Sequence, residues 1–266
     1  MFTINPFATL AETIPSIVLQ SFVFVMVALV IVGTLVDVVH KKNVKYFFDN
    51  AKKAKLSAKK KLTNGERASV VIKTVVHDIA TTAELGAGKR RVAHILGMYG
   101  TILFWIASVI MIFCYTSTDS VTPKVWPIIW HIGAIMTCVG GYWFWLFLRV
   151  DVLSEAYPWY RIIKADLFVL ALLACSTFGL AWSYIQSLNL DNRWDDKVFL
   201  VFYILSNIIL FGGVYWSKFA HMFYKPGAAI QKNLAEADGS RDNLPPPADA
   251  EEQFGLGIKR EAPKHY

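Results

Sequence analysis

Val92-Ala-His-Ile-Leu-Gly-Met-Tyr-Gly-Thr-Ile-Leu-Phe-Trp-Ile-Ala-Ser-Val-Ile-Met-Ile-Phe-Cys-Tyr115 runs for 24 residues without an Asp, Glu, Lys or Arg. A helix needs about 20 mostly apolar residues to cross the hydrocarbon core of a bilayer, so this stretch decides the class of fold. Four more stretches of the same kind surround it: Ile14–Val39 before, and Val125–Leu148, Leu167–Leu188 and Val198–Trp216 after. The whole chain is 55% hydrophobic and 14% aromatic, whereas an ordinary soluble domain is roughly 45–50% apolar. Its mean hydropathy is +0.41. The expected fold is all-α, a polytopic membrane protein with five transmembrane helices in a bundle.

Lysine and arginine set the orientation. Fourteen fall in Lys41–Val92, three in Arg149–Ala165 and seven beyond Trp216, against Lys124, Arg193 and Lys197 on the other side. Twenty-four against three is a positive-inside pattern, which puts the amino terminus outside and the carboxyl terminus in. The chain then divides into an outer tail 1–13, spans 14–39, 92–115, 125–148, 167–188 and 198–216, a basic cytoplasmic segment 40–91, and a cytoplasmic, largely disordered tail 217–266. Within 40–91, residues 68–84 set Val71, Ile72, Val75, Val76 and Ile79 at helical spacing, with Lys73, His77 and Glu84 on another face. That is an amphipathic helix lying on the inner surface. The lysine clusters at 52–55 and 59–61 suit anionic headgroups or, alternatively, an acidic protein. The tail carries Pro245-Pro246-Pro247 with balanced charge, then Gln253–Arg260, which regains apolar residues as a candidate docking peptide. Mapped this way, the net charge of +7 belongs to a membrane interface and needs no nucleic acid to explain it. Met1–Pro15 lacks a basic n-region, so no cleavable signal peptide is expected.

Cofactor motifs built on cysteine are missing. Cys114, Cys138 and Cys175 are widely spaced, with no C-x-x-C for iron–sulfur or zinc and no C-x-x-C-H for covalent haem. Histidine is more informative. With the amino terminus outside, His94 and His221 both fall at the inner ends of spans, at similar depth. Two neutral imidazoles from different helices can hold the iron of a b-type haem, and Lys89, Arg90, Arg91 and Lys218 stand ready to neutralise its propionates. Below His94, Gly97, Met98, Thr101, Trp105 and Ser108 continue one face; such small residues suit a flat macrocycle and equally suit close helix packing. The closing stretch Trp216–Pro226 can be half of a haem clamp or a plain interfacial anchor that Pro226 ends. His131 lies at the opposite interface and cannot join the pair. His40 and His77 read as interfacial and solvated. Asn207, inside the last span, calls for a partner within the bundle.

Two segments also carry a resemblance. Lys73-Thr-Val-Val-His-Asp-Ile together with Arg91-Val-Ala-His94-Ile-Leu-Gly-Met-Tyr-Gly resembles the membrane cytochrome b subunit of the quinone-interacting oxidoreductase of sulfate reducers. Trp216-Ser-Lys-Phe-Ala-His221-Met-Phe-Tyr-Lys-Pro226 is similar to the end of the respiratory nitrate reductase gamma subunit, another five-span protein. Where the two-haem pattern of the latter has its second pair of histidines, this chain has Phe104 and Tyr203, so one haem at most is implied. With the tail Leu244-Pro-Pro-Pro-Ala-Asp-Ala-Glu-Glu-Gln-Phe-Gly-Leu-Gly-Ile added, the chain as a whole resembles the membrane anchor found with adenylylsulfate reductase in sulfur-oxidising bacteria. That resemblance implies a place in the bacterial cytoplasmic membrane, and a cytoplasmic flavin and iron–sulfur partner that oxidises sulfite and AMP to adenylylsulfate. Quinone would be the electron acceptor. The oxidation itself would belong to the partner, since no flavin or nucleotide motif is present here.

Three classes of function stand side by side: an electron-transfer anchor with one haem b, a purely structural anchor in which His94 and His221 only pack, and a transporter. Transport ranks last, because the span centres hold no charge and the halves show no repeat.

Overall fold

The structure is a computed structural model that describes residues 1–85, 88–116, 121–149, 158–188, 194–217, 219 and 221–240, apart from the side chains of Asn43, Glu84 and His221. Among these residues there are nine α-helices, a few π and 3₁₀ turns, and no strand. They form two compact units, Met1–Asp37 with Lys89–Ala220, and Val38–Gly88 with His221–Tyr266.

The first unit is a helical bundle. It contains α1 (Pro6–Ala11), most of α2 (Ser16–Lys41), α5 (Lys89–Cys114), α6 (Val125–Trp143), α7 (Leu167–Ser187) and α8 (Asp195–Gly212). Four helical stretches are long and apolar enough to cross a membrane: Ser16–Lys41, Lys89–Cys114, Val125–Leu148 and Lys164–Ser187. The protein is therefore an all-α helical bundle of the multi-pass membrane type.

The fifth apolar stretch behaves differently. Helix α8 opens on Asp195, Asp196 and Lys197 and stops at Gly212, short of the expected end at Trp216. Its apolar part, 198–212, spans only about 22 Å at 1.5 Å per residue, against a hydrocarbon core of about 30 Å. The Gly212-Gly213 pair accounts for the early stop, since glycine is the poorest helix former after proline. Gly213 closes the helix by donating to Ile209 O at 2.9 Å, and Trp216 and Ser217 then fold back onto Gly213 O.

Backbone contact between α5 and α6 organises the bundle. A Cβ placed on Gly133 would stand 2.6 Å from Phe104 N, and one on Gly140 would stand 2.5 Å from Ala93 O. Only glycine lets two helices approach so closely. Beneath this seam Phe104, Trp130, Trp182 and Tyr203 are buried, and Phe7 and Leu10 of α1 complete the same cluster. Asn5 holds α1 in place: its carbonyl oxygen caps the helix by accepting from Phe7 N and Ala8 N, and its amide donates to Tyr115 O and Thr122 Oγ1, each at 3.1 Å.

The second unit contains α3 (Asn43–Leu56), α4 (Asn64–Lys73), a π turn over Thr74–Ala80, and α9 (His221–Asp238). Thr63 and Glu66 form a reciprocal capping box at the start of α4, the arrangement that satisfies two orphan backbone donors at once. The amphipathic helix expected over 68–84 therefore starts earlier, and it ends near Ala80, where Thr82 takes a left-handed φ of 50°. Thr74 and Asp78 face α9, while Lys73 and His77 of the expected polar face stay exposed. Asn233 of α9 donates to Thr74 Oγ1 at 2.9 Å and Asp78 Oδ2 at 2.6 Å, while Ile72 and Val76 stay more than half exposed.

The tail expected to be largely disordered thus begins with a helix, and Pro226 sits inside it instead of ending it. Five of the ten residues from Ala228 to Ala237 are alanine or leucine, good helix formers. Ala229 and Ala235 are buried, and Asp238 O accepts from Lys59 N and Lys60 N, each at 3.0 Å. Residues 241–266, including the candidate docking peptide, lie outside the described residues.

This unit should loosen in acid. The Lys60 ammonium, with the Thr63 backbone and hydroxyl donors, brings Glu66 down to about 2, and Asp78 is lowered by His77 and then Asn233. Both carboxyls are lowered by folding, so their contribution is complete above the ordinary carboxylate range and is lost as pH falls through the folded values. Hydrogen exchange over 64–80, corrected for intrinsic rate, should rise relative to α5 as pH drops from 4.5 towards about 2. Asn233→Ala should move the onset to higher pH, and an unchanged profile would deny these bonds their role.

Candidate functional site

The amino-terminal end of α5 carries the residues singled out from the sequence. Lys89 is the first residue of α5, so Arg90, Arg91 and His94 all lie in its opening turns. Three cations at a helix amino terminus oppose the helix dipole, and no acidic residue in the first turn offsets them. Helix propensity does not explain that placement; an interface that collects positive charge does. Arg90 Nη2 donates to Leu148 O at 3.1 Å, which ties this end of α5 to the π turn Phe144–Leu148 that closes α6. His94 faces outward on α5, as does Lys89, and Arg91 is half-buried.

The other half of the expected pair lies elsewhere in the chain. His221 opens α9 in the second unit, while His94 belongs to the first. The side chain of His221, and Lys218 altogether, fall outside the described residues. The pairing of His94 with His221 rests on the sequence. Among the described residues no group of three or more His, Cys, Asp or Glu could hold a metal ion.

His131 is the buried histidine of the bundle, and both of its nitrogens are committed. Nδ1 lies 2.6 Å from Pro127 O and Nε2 lies 2.8 Å from Ser183 Oγ. A carbonyl can only accept, so Nδ1 carries the proton and Nε2 accepts from the serine hydroxyl. His131 is a structural link between α6 and α7. His77 pairs with Asp78 at 2.8 Å in the second unit.

Phe104 and Tyr203 stand in the middle of the aromatic core. Phe104 lies 5.0 Å from Trp130 and 6.5 Å from Tyr203 between ring centroids, and Tyr203 stacks on Trp182 at 5.7 Å. Aromatic rings thus stand at the two positions where the two-haem pattern has histidines. Asn207 donates to Tyr203 O at 2.8 Å on its own helix and also meets Cys175 of α7, a partner within the bundle. Cys114, Cys138 and Cys175 are all free thiols.

Two features escaped the sequence reading. One is a buried ion pair just beyond the π turn that closes α6, where Arg149 Nη2 meets Asp166 Oδ2 at 2.8 Å, with Arg149 also stacked over Trp145 and donating to Arg161 O. The residues are 17 apart across a loop, and periodicity carries no signal for such a pair. The other is an apolar groove of about 340 Å³ between α6 and α7, walled by Tyr142, Trp145, Trp159, Leu173 and Phe178. Its polar point is the contact of the Tyr142 and Thr177 hydroxyls at 2.8 Å.

No protein-family model, no curated protein and no solved structure matches this chain.

Proposed function

We propose that this chain is a membrane anchor that passes electrons between a cytoplasmic adenylylsulfate reductase and the quinone pool of a bacterial cytoplasmic membrane. In this reading it crosses the membrane five times, amino terminus outside and carboxyl terminus in. The fifth crossing uses α8 and the turn that follows it. His94 and His221 hold one haem b at the inner end, and Lys89, Arg90, Arg91 and Lys218 meet its propionates. Haem b, when bound, takes up and gives back one electron at a time.

The observation that carries the reading is the state of the outer half. His131 is committed at both nitrogens and touches Trp130, which packs in one buried cluster with Phe104, Trp182 and Tyr203. This arrangement supports seating a cofactor at the proposed inner end, where the basic residues gather and a cytoplasmic partner would approach. One observation favours a second reading, a purely structural anchor: Arg90 is already engaged in joining α5 to the end of α6.

A reduced-minus-oxidised optical spectrum of the purified protein separates the two. One low-spin haem b per chain is expected. His94→Ala and His221→Ala should each abolish its absorbance, while His131→Ala and His77→Ala should spare it. A colourless wild-type protein that still joins the reductase to the membrane would leave the structural anchor standing and remove the haem.

A further inference from the structure

We propose that α3, with the exposed strip of α4 and its π turn, is a binding surface for anionic phospholipid headgroups. The inference rests on the multi-pass membrane reading and on nothing about haem or electron transfer.

Helix α3 has two distinct sides. Val44, Phe47, Ala51 and Ala54 recur at helical spacing on the covered side, with Ala54 only 2% exposed. Lys45, Lys52, Lys53 and Lys55 are all exposed on the remainder of the surface. No ion pair with any of these four lysines forms among the described residues. Large apolar side chains stand between them: Tyr46 is 62% exposed, Phe48 57% and Leu56 89%. A helix wholly in water would not interleave lysine with bare aromatic and leucine side chains. A helix at the headgroup boundary would, because lysine stems lie along apolar surface while their ammonium groups reach anionic phosphate. Apolar side chains are left bare downstream as well: Thr74 and Asp78 turn towards Asn233 of α9, while Ile72 at 64% and Val76 at 59% stay exposed beside the exposed Lys73 and His77.

Chain continuity says which partner covers this surface. Lys42 alone separates the end of α2 at Lys41 from the start of α3 at Asn43, and its left-handed φ of 54° interrupts the helix there. At the far end, α5 begins at Lys89, shortly after the 3₁₀ turn that ends at Leu85. Both flanking helices are candidate membrane spans. A segment pinned at both ends to the bilayer boundary presents its apolar side chains to lipid before any soluble protein can reach them. Four lysines against the single acid Asp49 make that lipid anionic.

The test uses the full chain in lipid nanodiscs and reads hydrogen exchange over 43–56 and 64–80. Phosphatidylglycerol should slow exchange severalfold relative to phosphatidylcholine in both segments, with α5 unchanged. Raising the salt to about 1 M, where the Debye length is about 3 Å, should remove the difference over 43–56. The combined Lys45→Glu and Lys52→Glu variant should remove it at low salt. Equal exchange in the two lipids overturns the proposal. So does protection that arises only when an acidic soluble protein is added. The anchor reading would survive either result, whereas failure of the chain to enter nanodiscs of any composition would remove both.

Discussion

Gly133→Val should force α5 and α6 apart and lower the stability of the folded bundle by about 3 kcal/mol, the upper end of the usual cost of overpacking. A Cβ on Gly133 would stand 2.6 Å from Phe104 N and 2.7 Å from Gly100 O, and one on Gly100 would stand 2.6 Å from Thr137 N. These obstacles are backbone atoms and cannot rotate away. The helices must separate along their length, which also parts the Thr101 and Thr137 hydroxyls now 3.4 Å from one another. Gly97 provides the control, since a Cβ there meets nothing within 4 Å. Gly97→Ala should be neutral or slightly stabilising, because alanine is the better helix former. Unfolding in detergent, followed by tryptophan fluorescence, measures both. Equal effects from Gly97→Ala and Gly100→Ala would show that close approach is not what binds these helices.

Arg149→Met should cost about 3–5 kcal/mol, the range expected when one partner of a buried ion pair is removed. The side chains of Arg149 and Asp166 are 6% and 12% exposed. Methionine would fill much of the volume over Trp145 but leave the Asp166 carboxylate, among the described residues, with the Ile163 N–H at 3.0 Å. Arg149→Lys should recover part of the loss, since it restores the charge without the planar fork that reaches both Asp166 and Arg161 O. Adding Asp166→Leu to Arg149→Met should also recover stability, because an apolar pair of similar volume bears no desolvation cost. The same unfolding measurement checks all three. A neutral Arg149→Met would mean that water reaches the carboxylate.

The spans were legible because membrane helices announce themselves by length and lack of charge, and 92–115 and 125–148 come within a few residues of the helical stretches Lys89–Cys114 and Val125–Leu148. Which face packs was not legible. The sequence favours His94, Gly97, Thr101, Trp105 and Ser108, while the buried side of α5 is Ala93, Gly100, Thr101, Phe104, Ala107 and Met111. A helix that is apolar all round has no periodic signal to choose a face, and Gly97 and Gly100 offer two competing small-residue faces. Helix α3 was missed for a different reason: its lysines dominate the composition, while the pattern Val44, Phe47, Ala51, Ala54 marks its covered side. Of the candidate site, the basic cluster and His94 at the start of α5 could be read directly. The commitment of His131 to Ser183 could not, because it joins residues 52 apart.

The seating of α1 has a consequence for the order in which the protein is made. Phe7 packs edge-on against Trp130 and Trp182, at 6.0 Å and 5.7 Å between ring centroids, and Gln186 donates to Pro6 O. Residues 5–10 leave the ribosome well before α6 and α7, the helices that receive them. Domains commonly fold from the amino terminus as synthesis proceeds, yet here an early segment must wait beside the membrane until α7 has been inserted. A ribosome stalled before Leu167 would hold a chain whose α1 is still open to proteases, and release beyond Ser187 would close it.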